Sequence, residues 1–218
     1  MTPEIAQRWE ETAAILKGDP LVFAQYFWPN VSFYDRQRDI IYSVLENDET
    51  FVPAGNTLGK DFTAGFVVLY FFLSRNPVRI ITTSAKDEHL NVLWGEIGRF
   101  IQTSSLPHDR RNQGVLDSRR GGPLLINQQD IRMMMDDGRA HPISRLKGMV
   151  ASDDSMAAMQ GWYASPETVE QASDGVPLTL FLSDESSAVK DAYYYMARSW
   201  AQRIFAFGNC WDCDNYFK

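Results

Sequence analysis

Two short segments of this chain carry residue types suited to phosphate chemistry. Residues 54–61 read Ala-Gly-Asn-Thr-Leu-Gly-Lys-Asp, and residues 179–185 read Thr-Leu-Phe-Leu-Ser-Asp-Glu. In the first, Gly55 and Gly59 let the backbone turn tightly and approach an anion closely. The turned N–H groups of Gly55, Asn56, Thr57, Leu58 and Gly59, and the start of the helix that follows, then favour negative charge. Lys60 adds a flexible point charge for terminal phosphates. In the second, the apolar run Leu178–Leu182 follows Pro177 and ends in Ser183-Asp184-Glu185. A buried parallel strand has this pattern, and ligands in such sheets gather at the carboxyl ends of strands. Asp184 is then placed to hold a magnesium ion, and Glu185 to orient and deprotonate an attacking water. Together the segments describe a nucleotide triphosphatase.

Each segment also has a plainer reading. The first would suit any glycine-bearing strand-to-helix turn with an exposed lysine, and the second any strand that runs into an acidic helix cap. Finding both, in this order, in one chain favours the nucleotide site. Asp61 stands where the strict Gly-Lys-Ser/Thr pattern has a hydroxyl. Its carboxylate could take the metal directly or through water, at the cost of negative charge beside phosphates. Thr63 is the nearest hydroxyl, in a position that is not equivalent.

The elements that must position these residues follow from punctuation and periodicity. Helical spacing is expected over Pro3–Lys17 and Tyr34–Glu46, with Ile40, Ile41, Val44 and Leu45 of the latter facing inward, and Leu21–Trp28 is a further apolar segment. Thr50–Ala54 suits a buried strand, and Lys60–Ser74 an interior helix that is apolar on several faces. Val78–Thr83 reads as a strand and Asp87–Gln102 as an amphipathic helix. Ser104–Pro123 reads as a polar, arginine-bearing linker, and Leu124–Asn127, Ile131–Met135 and Met149–Ser152 as shorter strands. Thr168–Ala172 and Ala192–Gln202 read as helices, and Arg203–Phe207 as a last strand. Strands that alternate with helices imply an α/β fold whose parallel sheet is covered on both sides.

Composition sets limits. At 218 residues the chain can bury a full core and suits one domain. The longest apolar stretch, Phe62–Leu73, is too short to span a bilayer, and no secretion signal is visible. A net charge of −7 is not that of a general nucleic-acid binder. Residues 109–147 depart from it, with eight Arg or Lys against five Asp. Such a stretch could face DNA, a neighbouring subunit's phosphates, or solvent alone. Cys210 and Cys213 form a single Cys-x-x-Cys, and His89, His108 and His141 show no matching zinc spacing, so two ordinary thiols in a reducing compartment are expected. Trp94, Trp162 and Trp200 are expected to pack rather than to stack on bases.

Over residues 20–215 the chain resembles the ATPase domain of tailed-phage terminase large subunits. The resemblance rests on Gln37 in Tyr-Asp-Arg-Gln-Arg, the Gly-Asn-Thr-Leu-Gly-Lys loop, Arg79–Ala85, Met159-Gln160-Gly161-Trp162, Asp184–Val189, and Phe207-Gly208-Asn209-Cys210. It implies a three-layer P-loop NTPase of the RecA/ASCE type, with a mainly parallel central sheet and N-terminal helices. Residues 1–48 would form a helical segment with the adenine-contacting helix, and residues 49–218 the core. It further implies ATP and Mg2+ as cofactors, adenine reading by Gln37, γ-phosphate sensing by Asn209, metal binding by Asp184 and Asp61, and catalysis by Glu185 and Lys60. Such motors are thought to act as rings in which an arginine enters the neighbour's site; Arg139 and Arg145, in the basic stretch, are the candidates. Double-stranded DNA, a portal protein and a small terminase subunit are the implied partners, in the cytoplasm of an infected bacterium and with no membrane. A nuclease domain with clustered carboxylates is not expected in these 218 residues. The alternatives are a helicase-like or repair ATPase, and a nucleotide-binding scaffold that does not hydrolyse.

Overall fold

A computed structural model describes residues 16–55, 58–159, 161–162, 167, 178–209 and 213–218. The helix expected over Pro3–Lys17 lies almost wholly outside these residues, and so do Asn56, Thr57, Gln160, the helix expected over Thr168–Ala172, and Cys210.

Asp19 caps the first described helix, α1 (Pro20–Phe27), accepting hydrogen bonds from the N–H groups of Leu21 and Val22. Helix α2 (Asp35–Glu46) buries Ile41 and Val44, with Ile40 and Leu45 partly covered, as its spacing predicts. Strand β1 (Glu49–Pro53) is followed by α3 (Lys60–Ser74), which starts directly after Gly59 and has most of its residues buried. Strand β2 (Val78–Ser84) and helix α4 (Asp87–Thr103) follow. A three-strand unit comes next, β3 (Leu124–Asn127), β4 (Asp130–Met134) and β5 (Ala140–Val150). The chain closes with α5 (Asp153–Met159), β6 (Leu178–Asp184), α6 (Asp191–Arg198) and β7 (Arg203–Gly208).

The seven strands form one sheet in the order β1-β7-β6-β2-β5-β4-β3. Strands β1, β7, β6, β2 and β5 are parallel, whereas β4 pairs antiparallel with β5 and β3 antiparallel with β4. Phe23 of α1, Ile41 of α2, Phe66 of α3 and Ile97 of α4 share one core with inward residues such as Ile80, Leu180 and Phe207. On the other face Met159 of α5 and Tyr193 and Ala197 of α6 pack with Ile81, Phe181 and Trp162. The expected α/β, three-layer, mainly parallel architecture is therefore present, and Trp94, Trp162 and Trp200 are buried packing residues.

Three expectations need correction. Of the short strand expected over Met149–Ser152, Met149 and Val150 are the last residues of the eleven-residue β5, whose earlier half mixes polar with apolar residues, and Ala151 and Ser152 lie beyond its end. The sheet is parallel only as far as β5. The Ser104–Pro123 segment, expected as a polar, arginine-bearing linker, is packed against the core: Ser104, Ser105 and Leu116 are buried, Arg110 donates to the Tyr26 carbonyl at 2.7 Å, and Ser105 N–H to that of Phe27 at 3.0 Å. It fastens α1 to the end of α4.

Candidate active site

Strands β1 and β6 end on the same side of the sheet, with β7 between them, so the Gly55–Lys60 turn and the Asp184-Glu185 pair share one rim. Gly59 adopts a left-handed conformation (φ 67°), and α3 begins at the next residue. A β-carbon there would lie 2.8 Å from the Gln37 Nε2, so glycine both permits the turn and lets α2 approach it. Gln37 is buried, and its Oε1 accepts the Tyr34 N–H at 3.3 Å. The Tyr34 hydroxyl in turn donates to the Leu58 carbonyl at 2.5 Å. Helix α2 thus braces the turn through Tyr34 and Gln37.

Lys60 forms a short ion pair with Glu185, and both side chains are largely shielded from solvent. Glu185 sits in a left-handed conformation (φ 47°, ψ 49°), which costs a non-glycine residue about 1–3 kcal/mol and clusters at functional positions. Its surroundings hold it there. Gly208 approaches so closely that a β-carbon would meet Ser186 N at 2.8 Å and Glu185 Cα at 3.0 Å. The Asn209 N–H reaches Glu185 Oε2 at 3.5 Å, a weak contact. Asn215 Nδ2 donates to the carbonyls of Ser186, Ser187 and Val189, and the Tyr216 hydroxyl bonds Ser183 Oγ at 3.0 Å.

Asp184 is 1 % exposed, and its Oδ1 has no hydrogen-bond partner among the described residues. Burial, and then the nearby Asp61, push its carboxyl up to about 8. Asp61 is raised for the same leading reason, burial, with Lys60 opposing and Glu185 adding. Three carboxyl groups thus lie around one lysine, and a cation there would favour their ionised forms. No three His, Cys, Asp or Glu side chains among the described residues converge as a ready-made cage. Magnesium fits such a place, since it is usually held by one or two carboxylates with waters and substrate phosphates.

Thr63 does not replace the missing hydroxyl: it is buried and bonds the Gly59 carbonyl within its own helix. Ser84 is a better-placed hydroxyl that sequence reasoning missed. It pairs with Asp184 across β2 and β6, is fully buried, and its Oγ has no partner among the described residues. Only strand register reveals it.

Beside the turn lies a cleft of about 450 Å³ between α2, β1 and α3, lined by Tyr34, Arg36, Ile40, Ala54, Leu58 and Lys60. Tyr34 and Leu58 are half-exposed there. Of the expected residues, Gln37, Leu58, Gly59, Lys60, Asp61, Asp184, Glu185 and Asn209 come together, and Gly55 lies on the same turn. Asn56 and Thr57 lie outside the described residues. Arg139 and Arg145 do not join them within the chain. Arg139 is an exposed turn residue paired with Asp137 at 2.6 Å, just before β5 begins, at the opposite end of the parallel strands. Arg145 lies within β5 and is paired with Asp130 at 2.5 Å.

No family model matches the sequence. No curated protein matches it either. Among solved structures, the crystal structure of the HK97 bacteriophage large terminase superposes with a TM-score of 0.51 and 11 % identity, covering 84 % of this chain and 35 % of that one. The chain thus spans about a third of that protein's length. At this identity the likeness concerns the fold: the chain has a terminase-like α/β architecture.

Proposed function

We propose that this chain is an ATP-hydrolysing motor domain that drives double-stranded DNA into a viral prohead. The observation that carries the reading is the meeting of Lys60 with Glu185 at one rim of a terminase-like sheet, beside the buried Asp184, whose Oδ1 has no partner among the described residues. In this reading, phosphates compete with Glu185 for Lys60. Release from that pair leaves the Glu185 carboxylate able to orient a water and accept its proton. The cleft beside Tyr34 and Ile40 receives the base, with Gln37 behind it. Asp184, aided by Asp61 and Ser84, would hold magnesium, which neutralises charge on the phosphates when bound. Asn209, on the strand end that touches Glu185, would carry the loss of the γ-phosphate to the rest of the domain.

The same reading proposes a homo-oligomeric ring on the prohead, in contact with a portal protein and a small terminase subunit, in the host cytoplasm. No described helix is long and apolar enough to cross a membrane. Of the two arginines considered for a neighbour's site, Arg139 is the one whose side chain stands mostly in solvent.

A non-hydrolysing nucleotide scaffold is the second reading. The Lys60–Glu185 pair favours it, because that pair engages the would-be base with the would-be phosphate ligand. Magnesium-dependent phosphate release by the chain and by Glu185→Gln decides between them. The motor reading expects the substitution to lower turnover about 10²–10⁴-fold, the usual worth of a general base. ATP binding with no turnover in either protein, even at high concentration, would favour the scaffold.

A further inference from the structure

Strand register places three arginines in one row across the sheet. Arg79 of β2 is opposite Arg145 of β5, which is opposite Arg132 of β4. Lys147, two residues beyond Arg145, lies on the same face, because alternate residues of a strand share a face. Among the described residues Asp130 is the only carboxylate that pairs with them: it binds Arg145 through two contacts and Arg132 at 3.8 Å. Among the described residues four cations therefore answer to one anion, in a chain whose net charge is −7.

Arg79 is the most telling member. Its Nη1 donates to the Trp162 carbonyl at 2.8 Å, but among the described residues its buried Nε has no partner and no carboxylate pairs with it. Burial, and then the charges of Arg145 and Arg132, hold its guanidinium below its usual value. Arg79 and Arg145 also both stand 5.7 Å from the Trp162 ring, which sets their planes. Like charges on directly opposed strand positions are destabilising. Among the described residues, α5 and α6 cover this face mainly over β2, β6 and β7. Toward β4 it opens, with Arg132 36 % and Arg145 28 % exposed at the side chain.

We infer that this row, Arg79, Arg145, Arg132 and Lys147, is a binding site for phosphodiester groups of a duplex DNA backbone. Rigid strands about 4.8 Å apart present the guanidinium forks side by side, an array that fits phosphate oxygens. The need for an anion follows from the unbalanced row alone. The choice of duplex DNA over another polyanion rests on the motor reading, and it gives that motor a contact surface away from its nucleotide site.

The test is the affinity of the whole chain for a short labelled DNA duplex over a range of salt concentrations, with Arg132→Gln, Lys147→Gln and Arg79→Gln, and with the exposed Lys190→Gln, at the start of α6, as the control. Unfolding temperatures show which variants remain folded. Each row variant should weaken binding alike for unrelated sequences and reduce the steepness of log K against log salt by about 0.9, whereas the control should not. Arg79→Gln should also leave the free chain as stable or more stable, since it relieves charge crowding. Unchanged affinity and slope in folded Arg132→Gln and Lys147→Gln would overturn the proposal. So would displacement of the duplex by an acidic peptide at equal charge concentration. ATP turnover reports separately: hydrolysis without row-dependent DNA binding refutes this site alone, and row-dependent binding without hydrolysis refutes the motor alone.

Discussion

Asp184 is a carboxyl that burial holds near 8, far above its value of 3.8 in an unfolded chain. Such a group binds protons more tightly when the protein is folded. Its contribution to stability is therefore complete below about pH 4 and is lost as pH rises toward 8. Asp61 shifts in the same direction and adds to the trend. Asp184→Asn removes the buried charge, so at pH 8 and without metal it should raise the melting temperature, by about 2–4 °C for each kcal/mol relieved. At pH 4 the gain should vanish. Thermal scans at the two pH values check this; an equal effect at both would mean that no buried charge is relieved. Magnesium binding to the native chain at pH 8 should release protons, because the metal needs the ionised carboxylate. The types and order of Lys60, Asp184 and Glu185 made these residues legible in the sequence. Their pairing, and the unpartnered Ser84 beside them, depended on strand register and burial, which no local pattern records.

At the scale of elements, the turn after β6 is held from two sides, by the close approach of Gly208 and by Asn215. Gly208→Ala would force the Glu185–Ser186 backbone to move. Turnover should fall at least tenfold while nucleotide affinity changes less, because Lys60 and the cleft beside Tyr34 are untouched; a matched loss of both would show that the turn serves binding instead. Helix α3 was legible to the residue, because Gly59 precedes it and Asn76-Pro77 follows its end. Strand β5 was not, because His141, Ser144, Arg145 and Lys147 interrupt any apolar run. They are tolerated because Ser144 and Arg145 are paired and one face of β5 opens toward solvent. The segment over residues 104–123 was misread for a related reason. Arg110 and Ser105 tie it to distant backbone carbonyls, and such bonds leave no periodic trace.

For the whole molecule, the parallel strands bring Lys60, Asp184 and Glu185 to one carboxyl rim, and a separate cationic row runs from β2 across β5 to the antiparallel β4. The alternation of strands and helices was enough to foresee the three layers. It did not foresee that β3 and β4 run antiparallel, since short strands read alike in either direction. If an arginine from a neighbour completes the site, specific activity should rise with protein concentration and fall in Arg139→Ala. A rate strictly proportional to protein, with Arg139→Ala unchanged, would assign all of the activity to a single chain.

The central claim is that Lys60, Asp184 and Glu185 form a hydrolytic centre. The most direct test is the identity of the nucleotide recovered from the protein and its buffer after incubation with magnesium and ATP. The native chain should yield ADP, and Glu185→Gln should retain uncleaved ATP. Uncleaved ATP from both, or equal ADP from both, would contradict it.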